Sequence, residues 1–113
     1  MDRLTKHLAH QFRAARLAKG LTQAELGARL EMATESISHI ERGVTMPSLK
    51  TLAAAADAMG TSLSDLFAGL NDKRPISPRR AEQEALLRRL GRDLDDKRLV
   101  FVVDMATAVE KLP

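Results

Sequence analysis

The chain is 113 residues long, has no cysteine and carries 18 basic against 15 acidic residues, a formal net charge of +3. That length holds one small domain with an extension, or two very small units sharing a core; the lack of cysteine excludes a disulfide scaffold and a thiolate metal site, and so mild a charge excess does not establish nucleic-acid binding by itself. Met1-Asp2-Arg3 forms no signal-peptide core and the longest strongly apolar run, Leu99 to Val103, is far too short to span a bilayer, so a soluble cytoplasmic protein without membrane partners is expected.

A first helix is expected from about Arg3 to Lys19, with Leu4, Leu8, Phe12 and Ala15 inward and Gly20 as a left-handed stop. Thr22 and Glu25 then form a Thr-x-x-Glu capping box, with Leu21 and Leu26 at staple spacing, so a second helix starts at Gln23. Leu26 and Leu30 share one face, and after a break at 31 to 33 the pattern resumes with Ile37 and Ile40. Two short helices around so tight a turn must cross steeply, which is the helix-turn-helix arrangement that presents the outer face of the second helix.

A fourth helix follows the Ser48 cap after Pro47, carries Leu49, Leu52, Ala53, Ala56 and Met59 inward, and stops at Gly60. A short fifth follows the Ser62 cap and contributes Leu63, Leu66 and Phe67. Residues 71–78 hold two prolines and little that is apolar, and read as a linker or surface turn. Lys73, Arg74, Arg79 and Arg80 cluster there, with Asp72 the only nearby acid.

Ser77-Pro78 looks like a cap and a proline at the first helical position of a sixth helix, which carries Leu86, Leu87 and Leu90 and stops at Gly91. A seventh follows the Asp95 cap and runs to about Lys111. Residues 79–113 thus form a helical hairpin too small to bury its own apolar surface. Leu99 to Val103 are apolar around most of a helix circumference, which implies partners on more than one side. A homodimer interface through Leu99, Val102, Val103 and Ala106 is the simplest answer; the alternative is that the hairpin folds back on the first domain as extra core. Val100 to Val103 also permit a short strand, but the residues after them favour a continuous helix.

With Ile37 as the inward reference at about 100° per residue, Glu35, Ser38, His39 and Arg42 fall on the outward face and Thr34 at the helix tip. Leu21-Thr22-Gln23-Ala24-Glu25-Leu26, Ile37-Ser38-His39-Ile40-Glu41-Arg42-Gly43 and Pro47-Ser48-Leu49 carry a resemblance. Residues 8 to 68 resemble the lambda-repressor/Cro-type helix-turn-helix domain, the xenobiotic-response-element family of bacterial and phage regulators. The resemblance implies an all-α, five-helix lambda-repressor-like DNA-binding domain over residues 1–70, followed by the C-terminal two-helix hairpin. It also implies a structural ion pair between Arg16 and Glu41, base-facing positions at Thr34, Glu35 and His39, and a phosphate contact at Gln23.

Three positions depart from the family pattern. Gly27 stands where alanine is usual, at about 1 kcal/mol of helix propensity. Glu31 replaces the common turn glycine, where a left-handed backbone is unfavourable by roughly 1–2 kcal/mol. Ala33 replaces a frequent serine or threonine cap, so Thr34 is expected to cap the helix instead, moving its start by one residue.

Each outward residue has a plain reading beside the functional one. Thr34 is a cap or also touches a base edge. Glu35 is repelled by phosphates yet accepts from cytosine N4, and His39 donates to guanine or to a phosphate unless it is only solvated. Ser38 completes the base-facing set, while Arg42, Ser48 and Lys50 are candidates for phosphate contacts that position without specifying, with surface charge as the default. His7 and His10 lie three apart on the first helix with no third ligand, so no metal site is expected, and no cofactor is implied.

The expected function is that of a sequence-specific transcriptional regulator, a repressor, which binds double-stranded DNA as a homodimer on an inverted repeat with half-sites about 34–36 Å apart. An enzyme is not expected: there is no cysteine nucleophile, Gly-rich phosphate loop or His-Glu-x-x-His, and cap or helix positions explain the serines. Two alternatives keep the fold and change the job. One is the antitoxin of a toxin–antitoxin pair, with the hairpin holding a toxin as protein partner; the other is a protein-interaction adaptor that reads no sequence.

Overall fold

Side-chain caps open six of the seven helices in the computed structural model, which describes residues 2–70 and 77–113. In chain order these are α1 (Arg3–Lys19), α2 (Gln23–Leu30), α3 (Thr34–Glu41), α4 (Leu49–Ala58), α5 (Leu63–Leu66), α6 (Pro78–Asp93) and α7 (Asp96–Glu110). The described residues are all-α, as the periodicity predicts. The linker expected at 71–78, together with Asp72, Lys73 and Arg74, falls outside the described residues except for its last two positions.

The Thr22–Glu25 box closes in both directions, Glu25 amide to Thr22 Oγ1 and Thr22 amide to Glu25 Oε1, each at 3.0 Å. Gly20 takes a left-handed φ of 79°, which lets the Leu21 amide turn back to the Arg16 carbonyl at 3.1 Å. Glu31 is also left-handed, with φ 55°.

Thr34 is not the cap of α3. Ala33 holds the N-cap position in an extended conformation and offers no side-chain acceptor, so Thr34 becomes the first helical residue. The cause is the turn before it: the Met32 amide donates to the Gly27 carbonyl at 2.8 Å and brings Ala33 out extended. That closure also explains Gly27, since a Cβ there would stand 2.6 Å from the Met32 carbonyl oxygen. Helix propensity favours alanine at this position, but the clash is with backbone and must move the turn. Gly27→Ala is therefore expected to destabilise by about 1–2 kcal/mol, and a urea titration showing a gain would contradict it.

The core gathers Leu8, Phe12, Leu26, Ile37, Leu52, Met59 and Leu66 around α1. Leu4 and Leu49, expected inward, are 42% and 68% exposed: each lies in the first turn of its helix, which overhangs the packed core. On α4 the buried spacing is Leu52, Ala55, Ala56, so Ala53 faces solvent.

Beyond the core, α6 does not lie against α7. It runs along α1, burying Ala81 and Ala85 against Ala14 and Ala18, small residues that let two backbones come close. Gly91 is not its stop; the helix continues to Asp93 and breaks at the extended Leu94. Helix α7 buries none of its residues.

Arginines strap α6 to the rest. Arg88 donates to Gln11 Oε1 at 3.0 Å, Arg89 to the Ala18 carbonyl at 2.9 Å, and Arg92 to the Gly60 carbonyl at 2.9 Å and to the Asp65 carboxylate. Partial burial pushes the Asp65 carboxyl up, but the hydrogen bond and charge of Arg92, with Thr61 and Arg88, outweigh it and hold the carboxyl below its ordinary 3.8. A carboxyl held low in the fold binds its proton more weakly there than in the unfolded chain. The contribution is therefore whole above pH 3.8 and lost as pH falls through the lower folded value. Asp65→Asn is expected to cost about 1–2 kcal/mol at neutral pH and much less in acid; equal losses in melts at about pH 7 and pH 3 would contradict the strap.

Candidate nucleic-acid interface

Three side chains from three elements meet under the turn. Arg16 of α1 donates from Nε to Glu41 Oε2 at 2.6 Å and from Nη2 to Glu41 Oε1 at 2.9 Å, while its Nη1 donates to the Leu21 carbonyl at 2.7 Å. Both side chains are almost wholly buried, at 7% and 3% exposure. Gln23, the first residue of α2, donates its amide to Glu41 Oε1 at 3.2 Å. Glu41 thus accepts three N–H groups, and one buried carboxylate fixes α3 against α1 and the start of α2.

With Ile37, Ile40 and Glu41 buried, the opposite face of α3 is left to solvent. Thr34, Glu35 and Arg42 are exposed, and Ser38 and His39 are half-buried. The outward residues pair along the helix. Glu35 and His39 approach at 3.4 Å, and Arg42 Nε donates to Ser38 Oγ at 3.1 Å. The first couple sets a histidine donor beside the carboxylate; the second points a guanidinium along the helix end. Because Ala33 provides no side-chain cap, the amides of Thr34 and Glu35 also lack intrahelical acceptors at this tip.

Past α3, Gly43 at φ 72° lets the Val44 amide reach the His39 carbonyl at 2.8 Å, and the chain turns towards α4. Ser48 is engaged as the cap of α4, accepting from the Thr51 amide at 3.1 Å, with Lys50 exposed two residues along. The Ser48 hydroxyl is thus taken up by the helix start, whereas Lys50 and Arg42 carry exposed cations. The Gln23 side-chain amide is turned inward to Glu41, so the backbone amides of Gln23 and Ala24 are the donors left at the start of α2.

Of the proposed interface residues on α7, Val103 and Ala106 are exposed, and Leu99 and Val102 are partly covered. His7 donates from Nε2 to the Ala68 carbonyl at 2.7 Å, and His10 keeps a buried Nδ1 without a partner. Sequence reasoning missed the inward turn of Gln23 and the contacts of Arg88, Arg89 and Arg92. The regular spacing of those arginines on one side of α6 was the available signal. No helix among the described residues is long and apolar enough to cross a membrane.

Residues 12–66 match the helix-turn-helix family model. Over 55 residues the chain is 44% identical to an uncharacterized HTH-type transcriptional regulator, y4dL, of Sinorhizobium fredii (strain NBRC 101917 / NGR234). That match takes in 49% of this chain and 28% of the relative, so the chain spans little more than a quarter of the curated relative it matches. No solved structure matches. Helices α6 and α7 lie outside the family match.

Proposed function

We propose, from the premise that residues 12–66 are a Cro/C1-type helix-turn-helix domain of a transcription regulator, that the chain is a sequence-specific repressor that binds an inverted-repeat operator as a homodimer. The observation that carries this reading is the split face of α3. Ile37, Ile40 and Glu41 anchor it, while Thr34, Glu35, Ser38 and His39 lie together on the opposite face, which an α-helix seated in a major groove would turn to the bases. Glu35 discriminates more than it attracts, since its carboxylate is repelled by phosphate but accepts from cytosine N4. His39, 3.4 Å away, can neutralise it or donate to guanine.

Arg42 and Lys50, with the amide ends of α2 and α4, supply the phosphate contacts that set register. Arg42→Gln and Lys50→Gln are each expected to weaken binding to all sequences alike and to lower the slope of log affinity against log salt by about 0.9. A variant that instead changed base preference would move its residue into the reading set. Occupying an operator blocks transcription without further chemistry, so repression, in the cytoplasm, is the output this domain delivers most directly.

The exposed apolar surface of α7 also favours a second reading, an antitoxin that offers α7 to a toxin and autoregulates its operon. Selection of bound sequences from a random duplex library, at near-physiological salt, tests both. An enriched inverted repeat supports the repressor. Binding that ignores sequence and vanishes with salt points to an adaptor, and no binding without a second protein points to the antitoxin.

A further inference from the structure

Helices α6 and α7 each keep an apolar face uncovered. On α6 the residues that meet α1, Ala81 and Ala85, lie on one side, while Leu87 and Leu90 stand on the other at 63% and 48% exposure. On α7 the apolar positions from Phe101 round to Leu99 and Val103 sweep about 200° at 100° per residue, far wider than the roughly 100° stripe one neighbour covers. Pairing of α7 with a second α7 alone would leave half of that arc in water.

The missing cover exists in the chain itself, but not in the same copy. The turn at Leu94 carries α7 away from the leucine stripe of its own α6; Leu99 Cδ1 comes back to 3.9 Å from the Cβ position of Gly91, and Leu87 and Leu90 stay exposed. We propose that two copies exchange α7, each laying it antiparallel on the Leu87–Leu90 stripe of the partner's α6 while the rest of its arc meets the partner's α7. This rests on the homodimer reading above and adds its architecture.

Charge agrees with the antiparallel direction. Arg79 opens α6, beside an Arg80 that pairs with Glu84 at 3.2 Å, and meets the Glu110 end of α7, while Lys97 comes beside Asp93. Area agrees too. The large apolar side chains exposed from Leu87 to Leu112 present on the order of 900 Å² per copy, against ~800 Å² per partner in a standard stable interface. Exchange of an identical element between copies also brings the least new surface into being. Because α6 is strapped to α1, an interface made on α6 holds the two α3 helices at a fixed separation, which an operator with set half-site spacing requires.

The absence of cysteine makes the test direct. Full-length Leu87→Cys and Val103→Cys chains, one with a size tag, are mixed, allowed to exchange subunits and treated with a short bismaleimide. Both positions are exposed, so both variants should fold. A strong cross-link between the two different chains, lost on dilution below the dimer range, is the expected result. Cross-linking of Val103→Cys to itself but never to Leu87→Cys would overturn the exchange and leave a dimer joined through α7. Ready cross-linking within one copy of the doubly substituted chain, in place of the link between chains, would also overturn it, by closing the hairpin in cis. A monomer by sedimentation equilibrium would end both the exchange and the dimer, and the duplex-library selection would then show whether DNA reading survives without them.

Discussion

Glu41→Ala is expected to lower folding stability by about 3–5 kcal/mol, because it strands the Arg16 guanidinium in a buried site. Three donors now converge on Glu41: Arg16 Nε, Arg16 Nη2 and the Gln23 amide. Removing the acceptor leaves each of them with its desolvation penalty and no partner. Small domains have net stabilities of about 5–15 kcal/mol, so a fifth or more of the total would be lost. Urea denaturation followed by far-UV circular dichroism measures it. The comparison that isolates the charge is the doubly substituted chain, Arg16→Met with Glu41→Leu. A well-packed apolar pair avoids both desolvation penalties and is expected to recover most of the loss. A cost below about 1 kcal/mol for Glu41→Ala would mean that water reaches Arg16 as freely as at a surface pair.

Val103→Asp is expected to dissociate the proposed homodimer and to weaken operator binding by on the order of 100-fold or more. Joining two half-site readers turns the second contact into an intramolecular one, and that gain is lost when the copies part. The fold itself should be indifferent, because Val103 is 54% exposed and α7 buries nothing in a single copy. Sedimentation equilibrium, anisotropy with a labelled operator and a thermal melt separate these effects. Weaker binding, with a melting curve that matches the wild type only at concentrations below the dimer range, places the loss in assembly; an unchanged monomer–dimer equilibrium would take α7 out of the interface.

The helix-turn-helix was legible because its signals are local. Thr22 and Glu25 sit three apart, Gly20 and Gly43 end helices where left-handed φ is needed, and Ile37 and Ile40 mark the inward face of α3. The outward set followed from the same periodicity. Where reading failed, a contact from elsewhere had decided. Gly27 looks like a propensity defect until the Met32 carbonyl is seen where its Cβ would be, and Ala33 becomes the cap because that turn delivers it extended. Leu4 and Leu49 have the right spacing for burial, yet nothing reaches over the helix ends that carry them.

By itself, then, the sequence determined the helices, the side-chain caps that open all of them but α3, and the side of α3 that faces outward, since these depend on residues within about one turn of each other. Only the tertiary structure decided that Gln23 turns inward to Glu41, that α6 is strapped to α1 rather than to α7, and that α7 is left uncovered. Those outcomes depend on partners far away along the chain, Gln11 with Arg88 and Asp65 with Arg92, which no local pattern records. Alanines at 14, 81 and 85 give small and mutually fitting surfaces, while Leu87 and Leu90 of α6 find none within the same copy, and close packing rewards fit over hydrophobicity alone.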